Sequence, residues 1–173
     1  MKNWIAFIAV AALFGALAGA GTTMLFEKNS FKEYYSVENA VHVSPHDFVE
    51  AKKKGDSSTL LVDLRSKGEY EAKHLAGAVN IPATSMTKQE VLDAFNSLPK
   101  DKEIIVHCYA SSCMLGRQVG KFLSENNFYV KELTVGWAEL NRDYSDYLVS
   151  GSEAGLIPIS EETAVCNGES FSC

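Results

Sequence analysis

Two apolar runs of strand length constrain the fold of this chain more than any other feature of its sequence. Residues 60–64 (LLVDL) and 103–107 (EIIVH) each carry three aliphatic residues in succession, as strands buried on both faces of a sheet do. Helix starts are predicted at Ser44-Pro45 and Thr87–Glu90, and residues 115–123 carry an apolar stripe at helical spacing. Strands that alternate with helices predict an α/β fold with a mostly parallel sheet covered on both faces.

The same pattern divides the chain into four predicted parts. These are an apolar N-terminal segment at 1–26, a polar linker at 27–39, the folded domain at 40–150 and a tail without clear periodicity at 151–173. The other predicted elements of the domain are strands at 41–43, 78–81 and 129–133 and helical stretches at 45–55, 67–74, 88–97 and 137–148.

The N-terminal segment has the length and polarity of a membrane-spanning helix. Residues 4–26 contain no charged side chain, and a helix of that length spans roughly 34 Å, enough for a hydrocarbon core about 30 Å thick. Lys2 precedes it, which predicts that the domain lies on the periplasmic side of the cell membrane. The segment is interpreted as an uncleaved single-pass anchor or as a signal peptide of an exported soluble protein, cleaved after residue 18 or 20. A buried helix of the fold is the remaining alternative.

Charge and cysteine content exclude several classes of function. The chain has 16 basic and 22 acidic residues and a net charge of -6, which argues against a nucleic-acid partner. Four cysteines are too few for a disulfide scaffold. The four histidines do not group with the cysteines, so no metal site is predicted. The sequence predicts no cofactor.

Cys108 lies where the second apolar strand ends and a helix begins, at the edge where open parallel sheets bind ligands. A loop ahead of a helix N-terminus directs backbone N–H groups inward, which stabilises a thiolate and makes it nucleophilic near neutral pH. The predicted substrate-binding group around this candidate nucleophile is Tyr109, Ala110, Ser111, Ser112, Cys113, Met114 and Arg117. The alternative from the local pattern is a small buried residue at a strand end.

The remaining cysteines raise the question of pairing. Cys113 follows Cys108 closely enough for a disulfide across a curled loop, since that bond needs Cα atoms within about 7 Å. Cys113 is interpreted as a thiol that resolves a Cys108 persulfide, as a protecting disulfide partner, or as a helix-start residue facing the core. Cys166 and Cys173 flank an Asn-Gly turn and are predicted to form a second disulfide, with two unpaired thiols as the alternative.

Five motifs follow one another between residues 40 and 148. They are VSPHDF at 43–48, LLVDLR at 60–65, GEY at 68–70, KHLAGAVNIP at 73–82 and LTVGW at 133–137. In this order they resemble the rhodanese-like domain. The resemblance implies a five-stranded parallel sheet with helices on both sides. It also implies that Asp63, Arg65 and Glu69 are structural, with a buried arginine that is paired with carboxylates and braces the sheet edge.

The resemblance further implies sulfurtransferase activity. The Cys108 thiolate would take sulfane sulfur from a small donor such as thiosulfate and pass it to a thiol or cyanide-like acceptor. The family's common loop has Arg-x-Gly-x-Arg after the cysteine, whereas YASSC carries no cation here, so we expect weak thiosulfate turnover. The alternatives are a non-catalytic membrane-tethered sulfur carrier or binding module and a Cys108/Cys113 dithiol redox protein. A cysteine phosphatase is less favoured, because Met114 stands where its loop needs arginine.

Overall fold

The structure is a computed structural model that describes residues 30–159. The predicted membrane segment at 4–26 and the predicted Cys166–Cys173 disulfide lie outside the described residues. From 30 to 159, no helix combines the length and the apolar character that a membrane span requires.

The chain divides into two compact units, Met1–Ala40 and Val41–Cys173. Residues 30–41 are helical, so the described part of the predicted linker is a helix. The linker prediction rested on polarity, but the segment contains neither Gly nor Pro. Its polar composition is therefore that of an exposed helix, with Phe31, Tyr34 and Tyr35 all more than half exposed.

Five strands form one parallel sheet in the second unit, and two further strands form a small separate sheet. The strands are β1 (His42–Val43), β2 (Thr59–Asp63), β3 (His74–Leu75), β4 (Ala78–Asn80), β5 (Glu103–His107), β6 (Lys131–Leu133) and β7 (Leu148–Val149). The large sheet has the order β1-β6-β5-β2-β4, and every pairing in it is parallel. The predicted five-stranded parallel sheet is therefore confirmed, and all its carboxyl ends lie at one edge.

Helices cover both faces of this sheet, as predicted. They are α1 (Pro45–Lys53), α2 (Lys67–Ala72), α3 (Lys88–Asn96), α4 (Leu115–Glu125) and α5 (Trp137–Asp143), with 3-10 turns at Ala83–Ser85 and Ser145–Tyr147. Successive strand residues face opposite sides, so Leu61 and Ile105 pack with α1, α2 and α5. Val62 and Val106 pack with α3 and α4.

The two predicted helix starts are confirmed by side-chain caps. The Ser44 hydroxyl accepts a hydrogen bond from the backbone N–H of Asp47, and Pro45 is the first residue of α1. Thr87 and Glu90 form a reciprocal capping box at the start of α3. These caps satisfy N–H groups that have no partner within the helix.

The C-terminal part of the domain differs from the prediction. The predicted helix at 137–148 ends at Asp143, and β7 follows and pairs antiparallel with β3. The predicted tail boundary at 151 is also too early, because Gly151 donates its N–H to the Glu71 carbonyl at 2.8 Å and Ile157 is buried. Backbone hydrogen bonds rather than a repeating apolar pattern hold this segment, so hydrophobic periodicity gave no signal for it.

Candidate functional site

Cys108 follows β5 directly and is only 4% exposed. Its strand lies in the middle of the sheet, between β6 and β2. The Cys108 carbonyl accepts a hydrogen bond from the Trp137 N–H at 2.8 Å, and the Tyr109 carbonyl accepts one from the Ala138 N–H at 2.9 Å. The first turn of α5 therefore fixes the position of the nucleophile candidate at the carboxyl edge of the sheet.

We name residues 108–114 the active-site loop after the predicted nucleophile; this loop connects β5 to α4 and carries a disulfide between Cys108 and Cys113. The two Cα atoms lie 6.6 Å apart, within the reach that the sequence analysis required. The N–H of Cys113 donates to the Ala110 carbonyl at 2.9 Å and closes the turn between the two cysteines. Cys113 is half-buried against the α3/α4 side of the core, while Ser112 and Met114 are exposed.

A close backbone approach holds the loop against the start of α5. A Cβ atom placed at Gly136 would overlap the backbone of Ala110. Glycine at this position therefore lets two chain segments come closer than any side chain would allow. Gly136 of the LTVGW motif therefore contacts the active-site loop and supports its backbone.

Two carboxylates hold the active-site loop. Glu139 accepts a hydrogen bond from the Ser111 hydroxyl at 2.9 Å, and its two oxygens lie 3.2 and 3.3 Å from the Ser111 backbone nitrogen. Glu69 accepts a hydrogen bond from the Tyr109 hydroxyl at 2.9 Å. Glu69 was predicted to be structural, and its contact with Tyr109 places it beside the loop. Glu139 was missed, although its place three residues after Gly136 is that of a capping acid.

Both carboxylates are stabilised in their charged form. Hydrogen bonds from Ser66 and from Tyr109 hold the pKa of Glu69 below its ordinary value. Burial raises the pKa of Glu139, but hydrogen bonds from its own backbone N–H, from Ser111 and from Gly136 outweigh burial and leave this pKa below its ordinary value as well. The loop is therefore framed by negative charge at neutral pH.

The cation nearest in sequence to the loop is paired elsewhere. The Nε of Arg117 donates to Glu132 of β6 at 3.3 Å, and its Nη1 lies 3.8 Å from the Met114 sulfur. Arg117 was predicted to belong to the substrate-binding group, and a role in donor binding stays a prediction. Among residues 30–159, the hydrogen bonds described bring no cationic side chain to residues 108–113.

Asp63 and Arg65 form a buried ion pair at the end of β2, the strand beside β5. The Arg65 guanidinium contacts Asp63 at 2.6 Å and stacks on the Trp137 ring at 3.9 Å. The Asn80 amide donates to the carbonyls of Asp63 and Arg65, both at 2.9 Å. The pair therefore connects β2, β4 and α5, which is an arrangement suited to a structural role.

His107 is a buried neighbour of Cys108 that the sequence analysis did not select. Its Nδ1 lies 3.3 Å from the Cys108 carbonyl oxygen. Its Nε2 lies 3.6 Å from Asp63, and within the described residues this atom has no hydrogen-bond partner. Burial lowers the pKa of His107, so the ring is neutral. Its position directly before Cys108 at the end of a predicted strand is the sequence feature that could have identified it.

Comparison with known proteins identifies the class to which this fold and loop belong. The model of the rhodanese-like domain family matches residues 44–143, which is more than half of the chain. The chain therefore belongs to the rhodanese-like domain family.

Three relatives show what the chain shares with known proteins. The HTH-type transcriptional regulator Rv0324 of Mycobacterium tuberculosis is 32% identical over 79 residues, which are 46% of this chain and 33% of the regulator. The M-phase inducer phosphatase of Dictyostelium discoideum is 45% identical over 56 residues, 30% of this chain and 5% of the phosphatase. The chain thus spans a third or less of these curated relatives. The structure of the BH2092 protein from Bacillus halodurans matches in fold with a TM-score of 0.61 at 23% identity, over 78% of this chain and 95% of that one.

Proposed function

We propose that this protein is a rhodanese-type sulfurtransferase that carries sulfane sulfur as a persulfide on Cys108. The supporting observation is the position of Cys108 at the carboxyl end of the central strand β5, at the start of the loop before α4. This is the edge of a parallel sheet where ligands bind. The loop after Cys108 leads into the N-terminal end of α4, and a thiolate close to a helix N-terminus is stabilised by the helix dipole.

The proposed reaction has two steps after the Cys108–Cys113 disulfide has been reduced by an external dithiol. The Cys108 thiolate attacks the sulfane sulfur of the donor. With thiosulfate the S–S bond of the donor breaks and sulfite leaves with the electron pair. An acceptor thiolate or cyanide then attacks the terminal sulfur of the persulfide and releases the Cys108 thiolate. No net change in the oxidation state of the protein accompanies this cycle.

The charges around the active-site loop favour a donor of low negative charge. Glu69 and Glu139 frame the loop, and Arg117 is paired with Glu132. A dianion such as thiosulfate meets repulsion there without a compensating cation. An organic persulfide or a trisulfide carries less charge and suits this site better, so thiosulfate serves as a slow but usable probe.

The cellular location is part of the proposal. Residues 4–26 would anchor the protein in the cell membrane with the domain on the periplasmic side, or would direct export of a soluble periplasmic form. Extraction of membranes with alkaline carbonate should leave the anchored form in the pellet, and protease added to spheroplasts should degrade it. Resistance to protease in intact spheroplasts would contradict a periplasmic domain.

The disulfide itself favours a second candidate, a thiol–disulfide oxidoreductase that uses Cys108 and Cys113. Cyanide and thiosulfate separate the two candidates. The reduced sulfurtransferase should form thiocyanate catalytically, and this activity should disappear in Cys108→Ser. An oxidoreductase should instead reduce a model protein disulfide at a high rate and form no thiocyanate above the background of the buffer. A non-catalytic sulfur carrier would gain one sulfur atom by mass without turnover.

A further inference from the structure

We propose that Cys113 is a resolving thiol, which converts the Cys108 persulfide into a disulfide and releases the sulfane sulfur as sulfide. This inference rests on the proposed sulfurtransferase function and adds a second product to it. The protein would then be a source of hydrogen sulfide whenever no other acceptor reaches the persulfide. The Cys108–Cys113 disulfide of the structure has the same covalent form as the protein product that this step would give.

The loop holds Cys113 within reach of Cys108 by contacts that do not depend on the disulfide. The N–H of Cys113 donates to the Ala110 carbonyl, and Ser111 between them is fixed to Glu139 through its N–H and hydroxyl. The backbone of Ala110 is seated against Gly136. None of these contacts involves a sulfur atom, so we expect them to hold Cys113 close to Cys108 in the reduced protein as well. Such positioning makes an intramolecular step far faster than attack by a thiol in solution.

The surroundings of the loop also disfavour a long-lived persulfide anion. Ser111 offers a backbone N–H and a hydroxyl, the types of donor that would stabilise a terminal sulfur anion, and both are bonded to Glu139. Glu139 and Glu69 add negative charge beside the loop. A persulfide formed here therefore gains less stabilisation than one in a loop with free donors and cations.

The step balances in atoms and electrons. The Cys113 thiolate attacks the Sγ of Cys108, the bond from this Sγ to the terminal sulfur breaks, and hydrosulfide leaves with the electron pair. The sulfane sulfur is reduced by two electrons, and the two cysteine thiols are oxidised to the disulfide. An external protein dithiol then reduces the disulfide by thiol–disulfide exchange and prepares the site for another donor.

Sulfite and sulfide released from thiosulfate report the two steps separately. The full chain is prepared with Cys166→Ser and Cys173→Ser, so that only the loop cysteines react, and it is reduced and desalted without oxygen. After addition of thiosulfate, sulfite measures loading and sulfide measures resolution. In this background we expect equal amounts of sulfite and sulfide, and a protein lighter by two hydrogen atoms than the dithiol. With Cys113→Ser added, we expect sulfite without sulfide, and a protein heavier by one sulfur atom.

Other results overturn the inference. If the protein with both loop cysteines releases sulfite but no sulfide and keeps the extra sulfur, Cys113 does not resolve the persulfide while the proposed function stands. If peptide mapping finds the extra sulfur on Cys113, that residue is a relay and not a resolving thiol. If neither protein releases sulfite, loading itself fails, and the proposed function falls together with this inference.

Discussion

Strands β2 and β5 pair side by side and end at the same edge of the sheet, with Asp63 opposite His107. The residues that follow the two strands nevertheless differ in charge and in reactive groups. After β2, the charge of Arg65 is buried and neutralised by Asp63. After β5, the active-site loop holds two cysteines and borders two carboxylates. The buried positive charge beside β2 is therefore paired within the structure, and under the proposed function the reaction beside β5 depends on the two thiols.

The largest effect is expected from breaking the Asp63–Arg65 pair. Arg65→Met leaves Asp63 as an uncompensated buried charge, so the free energy of unfolding should fall by about 3–5 kcal/mol. Arg117→Met is the matched control, because the Arg117–Glu132 pair is exposed on the arginine side and should contribute at most about 1 kcal/mol. Urea unfolding of both variants measures the difference. Equal losses in the two variants would contradict a structural role specific to Arg65.

A methyl group at Gly136 should disturb the loop without unfolding the domain. Gly136→Ala forces the Ala110 backbone away, and displacement of a reacting group by about 1 Å costs on the order of 100-fold in rate. Gly120→Ala is the control, since a Cβ there meets only the Val130 side chain at 3.5 Å. Persulfide loading rates of the two reduced variants check this prediction. Unchanged loading in Gly136→Ala would show that the α5 contact does not position Cys108.

Acid should lower the free energy of unfolding, because His107 beside the loop is buried and takes up a proton on unfolding. Burial lowers the pKa of His107 in the folded chain, so the unfolded chain takes up this proton first as the pH falls below about 6.5. The free energy of unfolding should therefore decrease below that pH, by up to about 1.4 kcal/mol per pH unit from this one group. Unfolding curves of His107→Gln should lack this part of the slope, whereas His46→Gln, at an exposed position, should keep it. An identical slope in both variants would contradict a neutral buried ring.

The smallest expected effect is a gain of function in the loop. In the unchanged protein, Glu69 accepts a hydrogen bond from the Tyr109 hydroxyl. Tyr109→Arg places a cation at this position and should raise kcat/KM for thiosulfate. The gain should be about tenfold or less, because exposed charges interact weakly in water. Tyr109→Gln removes the ring without adding charge and serves as the control. The gain should shrink as salt is added. A salt-independent gain, or fast thiosulfate turnover before any change, would show that loop charge does not limit the donor.

The sequence predicted the central fold well because its signals were local. The apolar runs of β2 and β5 and the caps at Ser44 and Thr87 depend on neighbouring residues alone. The antiparallel pair β3–β7 and the packing of residues 151–159 depend on partners some 70 residues away, through bonds such as that from the Gly77 N–H to the Ala154 carbonyl. Such backbone contacts leave no periodic pattern to find.

The cysteines of the candidate site could be predicted from the sequence, but the charges around them could not. Cys108 and the reach of Cys113 followed from the strand end and the spacing. The charges around the loop could not be predicted in this way, because they depend on contacts between distant elements. Glu139 reaches the loop from α5, and the pairing of Arg117 with Glu132 joins α4 to β6. A single sequence shows which charges exist, and only the fold shows which of them are already neutralised.

The most direct test of the central claim compares Cys108→Ser with Cys113→Ser, each reduced and treated with thiosulfate. If Cys108 is the nucleophile, Cys113→Ser releases sulfite and gains the mass of one sulfur atom, which cyanide removes as thiocyanate. Cys108→Ser should show none of these changes. Sulfur loading of Cys108→Ser with none in Cys113→Ser would contradict the claim and move the nucleophile to Cys113.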